Sequence, residues 1–168
     1  GYNGRGADYF DGNGDYAKVA NALPINGNQS FSIEAWIKTG YTGGIIVIVE
    51  KYSQGPTSQM AFWVNYNTSG KVSIVLAGAV NVCKALSTTT VTDNNWHHVV
   101  GVRDYALRTL RIYVDGNLEN EGSDSACDNS GNAAKFTSIG ASDNFGDGSI
   151  DGTWFNGTID ELRIYNKS

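Results

Sequence analysis

The chain reads as an all-β protein, a two-sheet antiparallel β-sandwich. Three observations predict this. Apolar residues come in short runs separated by turn residues, 21 of the 168 residues are glycine against 2 proline, and no long stretch repeats with helical period. Roughly ten to twelve short strands are too many for one open sheet, so two sheets with opposed apolar faces are expected to share one core.

Residues 7–20 read as a hairpin turning at Asp11–Gly14. The clearest strand is 30–38, with Phe31, Ile33, Ala35 and Ile37 on one face and Ser32, Glu34, Trp36 and Lys38 on the other. The continuous apolar run at 45–51 suits a buried central strand. Residues 59–66 alternate again and put Trp63 on the more polar side, beside Asn65. Further strands are expected at 71–77, at the Thr-rich stretch 86–92, and at 96–103 paired with 109–115. Residues 119–132 and 141–153 read as long polar loops around a short strand at 136–140. The last strand runs through Ile159-Asp160-Glu161-Leu162-Arg163-Ile164-Tyr165.

The length suits a single domain spanning residues 1–168. The abrupt ends suggest an excised module of a larger protein, expected to be monomeric within it. Net charge is −5, from 12 basic and 17 acidic residues with no basic cluster, which argues against nucleic-acid binding. No apolar run approaches the ~20 residues that span a bilayer. Cys83 and Cys127 stand in polar surroundings. A disulfide between them closes a loop of about 45 residues, worth roughly 3–4 kcal/mol by loop-closure entropy, and favours an exported protein. The alternative is two unrelated buried thiols.

Several groups of residues have chemistry to offer. Asp11-Gly12-Asn13-Gly14-Asp15 places side-chain oxygens at alternate positions, with glycines that let carbonyls turn inward, as Ca²⁺ requires. Pairing of the chain ends is expected to add Asp160 to this set. Asp147 and Asp151, in Asp147-Gly148-Ser149-Ile150-Asp151-Gly152, form a weaker second candidate. Neither run continues to the glutamate of an EF-hand, and an Asp/Gly/Asn turn without metal is the alternative for both. Sugar rings stack their C–H faces on aromatic side chains. Trp63 with Asn65, Trp154 after a Gly/Asp-rich loop, and the turn residues Tyr41 and Tyr105 are the candidates. Trp36 and Trp96 read as framework. Glu34 and Glu50 have no acidic partner on their own strand face, so the carboxylate pair of a glycosidase, about 5–9 Å apart, is missing. His97 and His98 are adjacent in a strand and point to opposite faces, one to the core and one to the surface. The four sequons, at Asn28, Asn67, Asn156 and Asn166, carry no inference in so Asn- and Ser/Thr-rich a chain.

Phe10-Asp11-Gly12 before Asp15-Tyr16, then Phe31-Ser32-Ile33-Glu34-Ala35-Trp36-Ile37-Lys38, resemble the opening of laminin-G-like jelly-roll domains. Trp96-His97-His98-Val99-Val100 followed by Leu110-Arg111-Ile112-Tyr113-Val114-Asp115-Gly116 is similar to their middle hairpin. Phe155-Asn156-Gly157-Thr158-Ile159-Asp160-Glu161-Leu162-Arg163-Ile164-Tyr165-Asn166 is similar to their close. The resemblance implies the concanavalin-A-like sandwich and calcium-stabilised binding of a polysaccharide or glycan, or else adhesion to protein. It also implies a secreted or cell-surface setting, usually as a non-catalytic accessory module. The departure is 119–132, longer and more acidic than that pattern, and carrying Cys127.

Overall fold

The alternation at 31–38 becomes a strand whose Phe31, Ile33, Ala35 and Ile37 are all buried while their neighbours are only half so. Each large apolar side chain buried this way contributes about 1.5–3 kcal/mol. The computed structural model describes residues 1, 4, 6–20, 28–53, 58–65, 70–78, 81–127, 136–143, 149–150 and 152–168. Among them run twelve strands: β1 (Asp8–Asp11), β2 (Ala17–Ala20), β3 (Phe31–Lys38), β4 (Ile46–Ser53), β5 (Ser58–Val64), β6 (Val72–Ala77), β7 (Val82–Leu86), β8 (Trp96–Asp104), β9 (Thr109–Val114), β10 (Asn117–Ser123), β11 (Phe136–Ile139) and β12 (Asn156–Tyr165). They make two antiparallel six-stranded sheets, ordered β1-β12-β3-β8-β9-β10 and β2-β11-β4-β5-β6-β7. The β-sandwich is the one expected, and it is consistent with a jelly roll. No helix of the described residues is long and apolar enough to cross a membrane.

The main core lies between the sheets, where Phe31, Ile33 and Ile37 of β3 meet Phe62, Ile74 and Leu76 of the other sheet. The chain ends pair as expected: Asp8 lies opposite Ile159 and Asp11 opposite Asn156 in the β1–β12 ladder. The 7–20 hairpin does not form. β1 and β2 sit in different sheets, and β2 pairs with β11 instead. The turn between them is fixed by its own carboxylates: Asn13 N donates to Asp11 Oδ1 at 2.7 Å and Asp11 N to Asp15 Oδ2 at 3.0 Å.

Two further expectations are corrected on the opposite edge. The strand lies at Val82–Leu86, and the Thr-rich residues after it are a turn gathered around Glu119. Residues 117–123, expected in part as loop, form β10. It is polar because it is a largely exposed edge strand. Its inner side meets β7 so closely that a Cβ on Gly122 would fall 2.3 Å from the Lys84 carbonyl oxygen. The Cys83–Cys127 disulfide fastens the same seam, 44 residues apart in sequence, and no free cysteine remains.

Candidate functional site

One end of the sandwich gathers three short segments: the turn after β1, the turn after β3, and the lead into β12. Gly12, Tyr41, Ile45, Thr153, Trp154 and Asn156 line a cleft of about 180 Å³ between them. Two of the aromatics singled out in the sequence, Tyr41 and Trp154, therefore face one hollow. Trp154 is turned outward because Phe155 beside it is fully buried, with its N–H bonded to Gly140 O at 2.7 Å. Thr153, one residue earlier, holds φ at 56°, a left-handed conformation rare for a β-branched residue. The Trp154 ring rests 6.1 Å from that of Tyr16, at an interplanar angle of 38°. Tyr16 in turn lines an adjoining hollow with Asp8, Tyr9 and Asp15.

Buried polar groups fix the cleft wall. Thr39 Oγ1 donates to Asn156 O at 2.6 Å and accepts from Tyr41 N at 3.0 Å, tying two of the three segments together. Asn65 Nδ2 donates to the carbonyls of Tyr41 and Gly44, at 3.1 and 3.2 Å, and Asn65 Oδ1 accepts from Gly70 N at 2.6 Å. Asn156 Nδ2 donates to Asp11 O at 3.1 Å. Two glycines permit the close approach. A Cβ on Gly12 would meet Asn156 Nδ2 at 2.6 Å, and one on Gly43 would meet the Tyr41 hydroxyl at 2.4 Å. This leaves a rigid aromatic-walled hollow with an amide on its rim, suited to a ring that is apolar on its faces and polar at its edges.

The remaining sequence candidates fall elsewhere. Asn65 is buried and its amide holds the Tyr41 turn, so it positions the wall rather than facing the hollow. Trp63 is 8 % exposed and packs with Val47, Ala61 and Val75; Ile45, which lines the cleft, leans on that cluster. Its face of the sheet is thus apolar and covered, not polar as its alternation with Asn65 implied. Tyr105 lies at the far end of β8, its ring between the guanidinium groups of Arg103 and Arg108, at 5.2 and 4.9 Å. Tyr16, Thr39 and Asn156 join the site without having stood out in the sequence as ligand contacts, and Gly12 joins it from the candidate cation turn. The one signal for Tyr16 was an aromatic directly after a Gly/Asp turn.

The carboxylates do not gather as expected. Asp11 is opposite Asn156, and Asp160 is four register positions further along β12, about 13 Å of strand. Asp160 Oδ1 instead accepts from Glu161 N at 2.9 Å, in a bulge where Glu161 holds φ at 52°. Among the described residues no three His, Cys, Asp or Glu side chains stand together as a metal site. Asp147 and Asp151 lie outside the described residues.

Other titratable groups sit in hydrogen bonds and ion pairs. Glu34, on β3, accepts from Tyr165 Oη at 2.7 Å and Arg163 Nη1 at 3.2 Å, with His98 Nε2 3.4 Å away. Burial pushes its pKa up, but those hydrogen bonds and charges outweigh it and hold the carboxyl below its ordinary range. Glu50 sits in the other sheet. The two glutamates do not form a catalytic pair. His97 is buried, as one of the two histidines was expected to be, and is clasped by Asp115 at 2.8 Å and Asp93 at 3.1 Å. His98 faces outward against the Trp36 ring, 5.1 Å away.

Residues 11–168 match the Laminin_G_3 family, described as the Concanavalin A-like lectin/glucanases superfamily. No curated protein matches the chain by sequence. Among solved structures, domains LG4-5 of the mouse laminin alpha1 chain superpose with a TM-score of 0.73 at 14 % identity, covering 96 % of this chain and 42 % of that one. The chain thus spans less than half the length of that relative. CBM40 of the Ruminococcus gnavus IT-sialidase gives 0.71 at 11 % identity, covering 96 % and 91 %. The same module bound to alpha2,3 sialyllactose gives 0.70 at 13 %, covering 96 % and 91 %. At these identities the likeness shows the fold alone.

Proposed function

The chain belongs to the laminin G-like family of the Concanavalin A-like lectin/glucanases superfamily, and from that premise we propose that it is a non-catalytic carbohydrate-binding module. The sugar sits in the cleft between Tyr41 and Trp154. In this reading the module is extracellular and holds a parent enzyme or surface protein against polysaccharide. The observation that carries it is the convergence of Tyr41, Trp154 and the Asn156 amide on one rigid hollow. The separation of Glu34 and Glu50 onto opposite sheets supports the absence of catalysis. A glycan array with the isolated chain tests the reading. Binding to at least one saccharide with no release of reducing sugar is expected. Capture of a protein with no saccharide bound replaces it with a protein-adhesion domain, and released sugar replaces it with a hydrolase.

Calcium enters the reading as a proposal confined to the turn at Asp11 and Asp15. Those two carboxylates and nearby backbone carbonyls supply oxygen of the kind Ca²⁺ takes, while Asp160 is directed elsewhere. An ion bound only by the folded state stabilises it by about 2.7 kcal/mol at a hundredfold excess over Kd. Melting in calcium against EDTA is expected to show a rise that Asp15→Ala removes and Asp160→Ala retains. An unchanged melting temperature in the unaltered protein removes the ion.

A further inference from the structure

We propose that the cleft selects an uncharged saccharide chain of at least two units and discriminates against glycans carrying carboxylate or sulfate; this rests on the carbohydrate-binding reading above. Two observations carry it. The first is the shape of the aromatic surface. The Tyr16–Trp154 ring pair joins two hollows, one lined by Tyr41 and Trp154, the other by Tyr9 and Tyr16. Tyr9 is 68 % exposed and Tyr16 48 %, an unusual amount of aromatic surface to leave in water on neighbouring residues of one edge. A single sugar ring fills one hollow; a chain of them uses both.

The second observation is the charge around this surface. The segments that build it are 8–16, 39–45 and 152–156, and they contain Asp8, Asp11 and Asp15 but no lysine or arginine. All three aspartates are exposed, and Asp8 and Asp15 line the second hollow directly. Recognition of a sugar carboxylate or sulfate depends on a guanidinium, an ammonium or a set of convergent backbone N–H groups. Here the backbone N–H groups of Asp11 and Asn13 are already committed to Asp15 and Asp11. An anionic ligand along this path therefore meets repulsion from the lining carboxylates, and the lysines nearest in sequence, Lys18 and Lys38, line neither hollow, Lys18 Nζ lying over the Phe136 ring, whereas hydroxyl groups find carboxylate acceptors. Three like charges at about 10 Å in water together cost an anion about tenfold in affinity at low salt.

The test uses pairs of saccharides of equal chain length that differ in a charged group: 3′-sialyllactose and its methyl ester, a glucuronoxylo-oligosaccharide and its carboxyl-reduced form, and galactan with and without sulfate. Affinities are measured calorimetrically in EDTA, so that no divalent cation offsets the carboxylates. At least one neutral member is expected to bind, with its anionic partner about tenfold weaker at low ionic strength. The gap should narrow with added salt, and in Asp8→Asn and in Asp15→Asn, which leave the aromatic surface in place. An anionic member that binds as tightly as its neutral partner, or more tightly, overturns the charge selection and leaves carbohydrate binding standing. A single sugar unit that binds as tightly as its oligomer overturns the two-hollow path. Further pairs are built in the same way on any saccharide that the glycan array shows bound; if the array shows none, the carbohydrate reading itself falls, and this inference with it.

Discussion

Tyr16 and Trp154 lie on segments separated by most of the chain, yet their rings meet at 6.1 Å. Trp154 thereby acquires a fixed orientation without being buried. An aromatic pair of this kind is worth about 0.5–1.5 kcal/mol beyond its burial. Tyr16→Ala is expected to lower glycan affinity about three- to tenfold, because the Trp154 ring loses both its neighbour and its orientation. The melting temperature should move by less than about 4 °C, since Tyr16 is largely exposed. Calorimetric titration beside a thermal melt reads both quantities. A large stability loss with unchanged affinity contradicts the assignment.

Asn65 makes a different prediction, because its role is indirect. Asn65→Asp keeps the acceptor for Gly70 N and loses both donors to the Tyr41 and Gly44 carbonyls. Leaving those carbonyls unpaired beside a buried carboxylate costs about 1–3 kcal/mol. The melting temperature should fall by several degrees, and glycan affinity should fall with it as Tyr41 loses its anchor. Thermal melts and calorimetric titration of the folded variant measure the two effects. A lowered melting temperature with full glycan affinity would contradict this coupling.

His97 predicts a pH dependence of stability. Burial alone lowers its pKa, but the hydrogen bonds and charges of Asp115 and Asp93 outweigh that and raise it above the ordinary histidine value. A raised pKa in the folded state means the stabilisation is complete below the unfolded value of about 6.5 and is lost as pH rises through the folded value. Asp93 behaves oppositely. Hydrogen bonds from the Asn95 side chain and backbone, then from His97, hold it down to about 2, so its contribution is present above its ordinary value and is lost as pH falls toward 2. The stability difference between the unaltered protein and His97→Gln should therefore shrink from pH 6 to pH 9. A difference that grows over that range rules the clasp out as a source of stability.

The seam between β7 and β10 carries two independent staples. Glu119 accepts from the backbone N–H groups of Thr88 and Thr89, each at 2.7 Å, and from both hydroxyls. Burial raises its pKa, yet these bonds prevail and hold the carboxyl below its usual range. Glu119→Ala is expected to cost about 1–3 kcal/mol. Reducing the Cys83–Cys127 bridge should cost roughly 3–4 kcal/mol. Denaturant unfolding of the variant, the reduced protein and both together measures each cost. Neither change should reach the cleft, so glycan affinity of the folded protein is expected to stay the same.

How much of this was legible in the sequence depends on which interactions are local. The buried face of β3 could be read residue by residue, because a half-buried strand alternates strictly. The partnership of the chain ends was expected, and so was the disulfide, against the alternative of two separate thiols. The crossing at Asp11–Asp15 did not, because a turn motif has the same composition whether it closes a hairpin or passes to another sheet. β10 was hidden because an exposed edge strand lacks the apolar alternation that marks the others. Within the site, exposed aromatics beside Gly/Asp turns pointed to Tyr41 and Trp154. Thr39 and Asn65 gave no such signal: their roles come from bonds to residues distant in the chain. Asp160 was misleading for the same reason, since register, not proximity to the turn's partner strand, decides where a carboxylate falls.

The central claim is that the Tyr41–Trp154 cleft holds the sugar, and the most direct measurement is the affinity of Trp154→Ala for the tightest-binding saccharide from the array. Loss of a central aromatic contact in a binding site typically exceeds about 2 kcal/mol. The expected loss in calorimetric titration is therefore about thirtyfold or more, with the protein still folded by circular dichroism. Undiminished binding by the folded Trp154→Ala protein would contradict it.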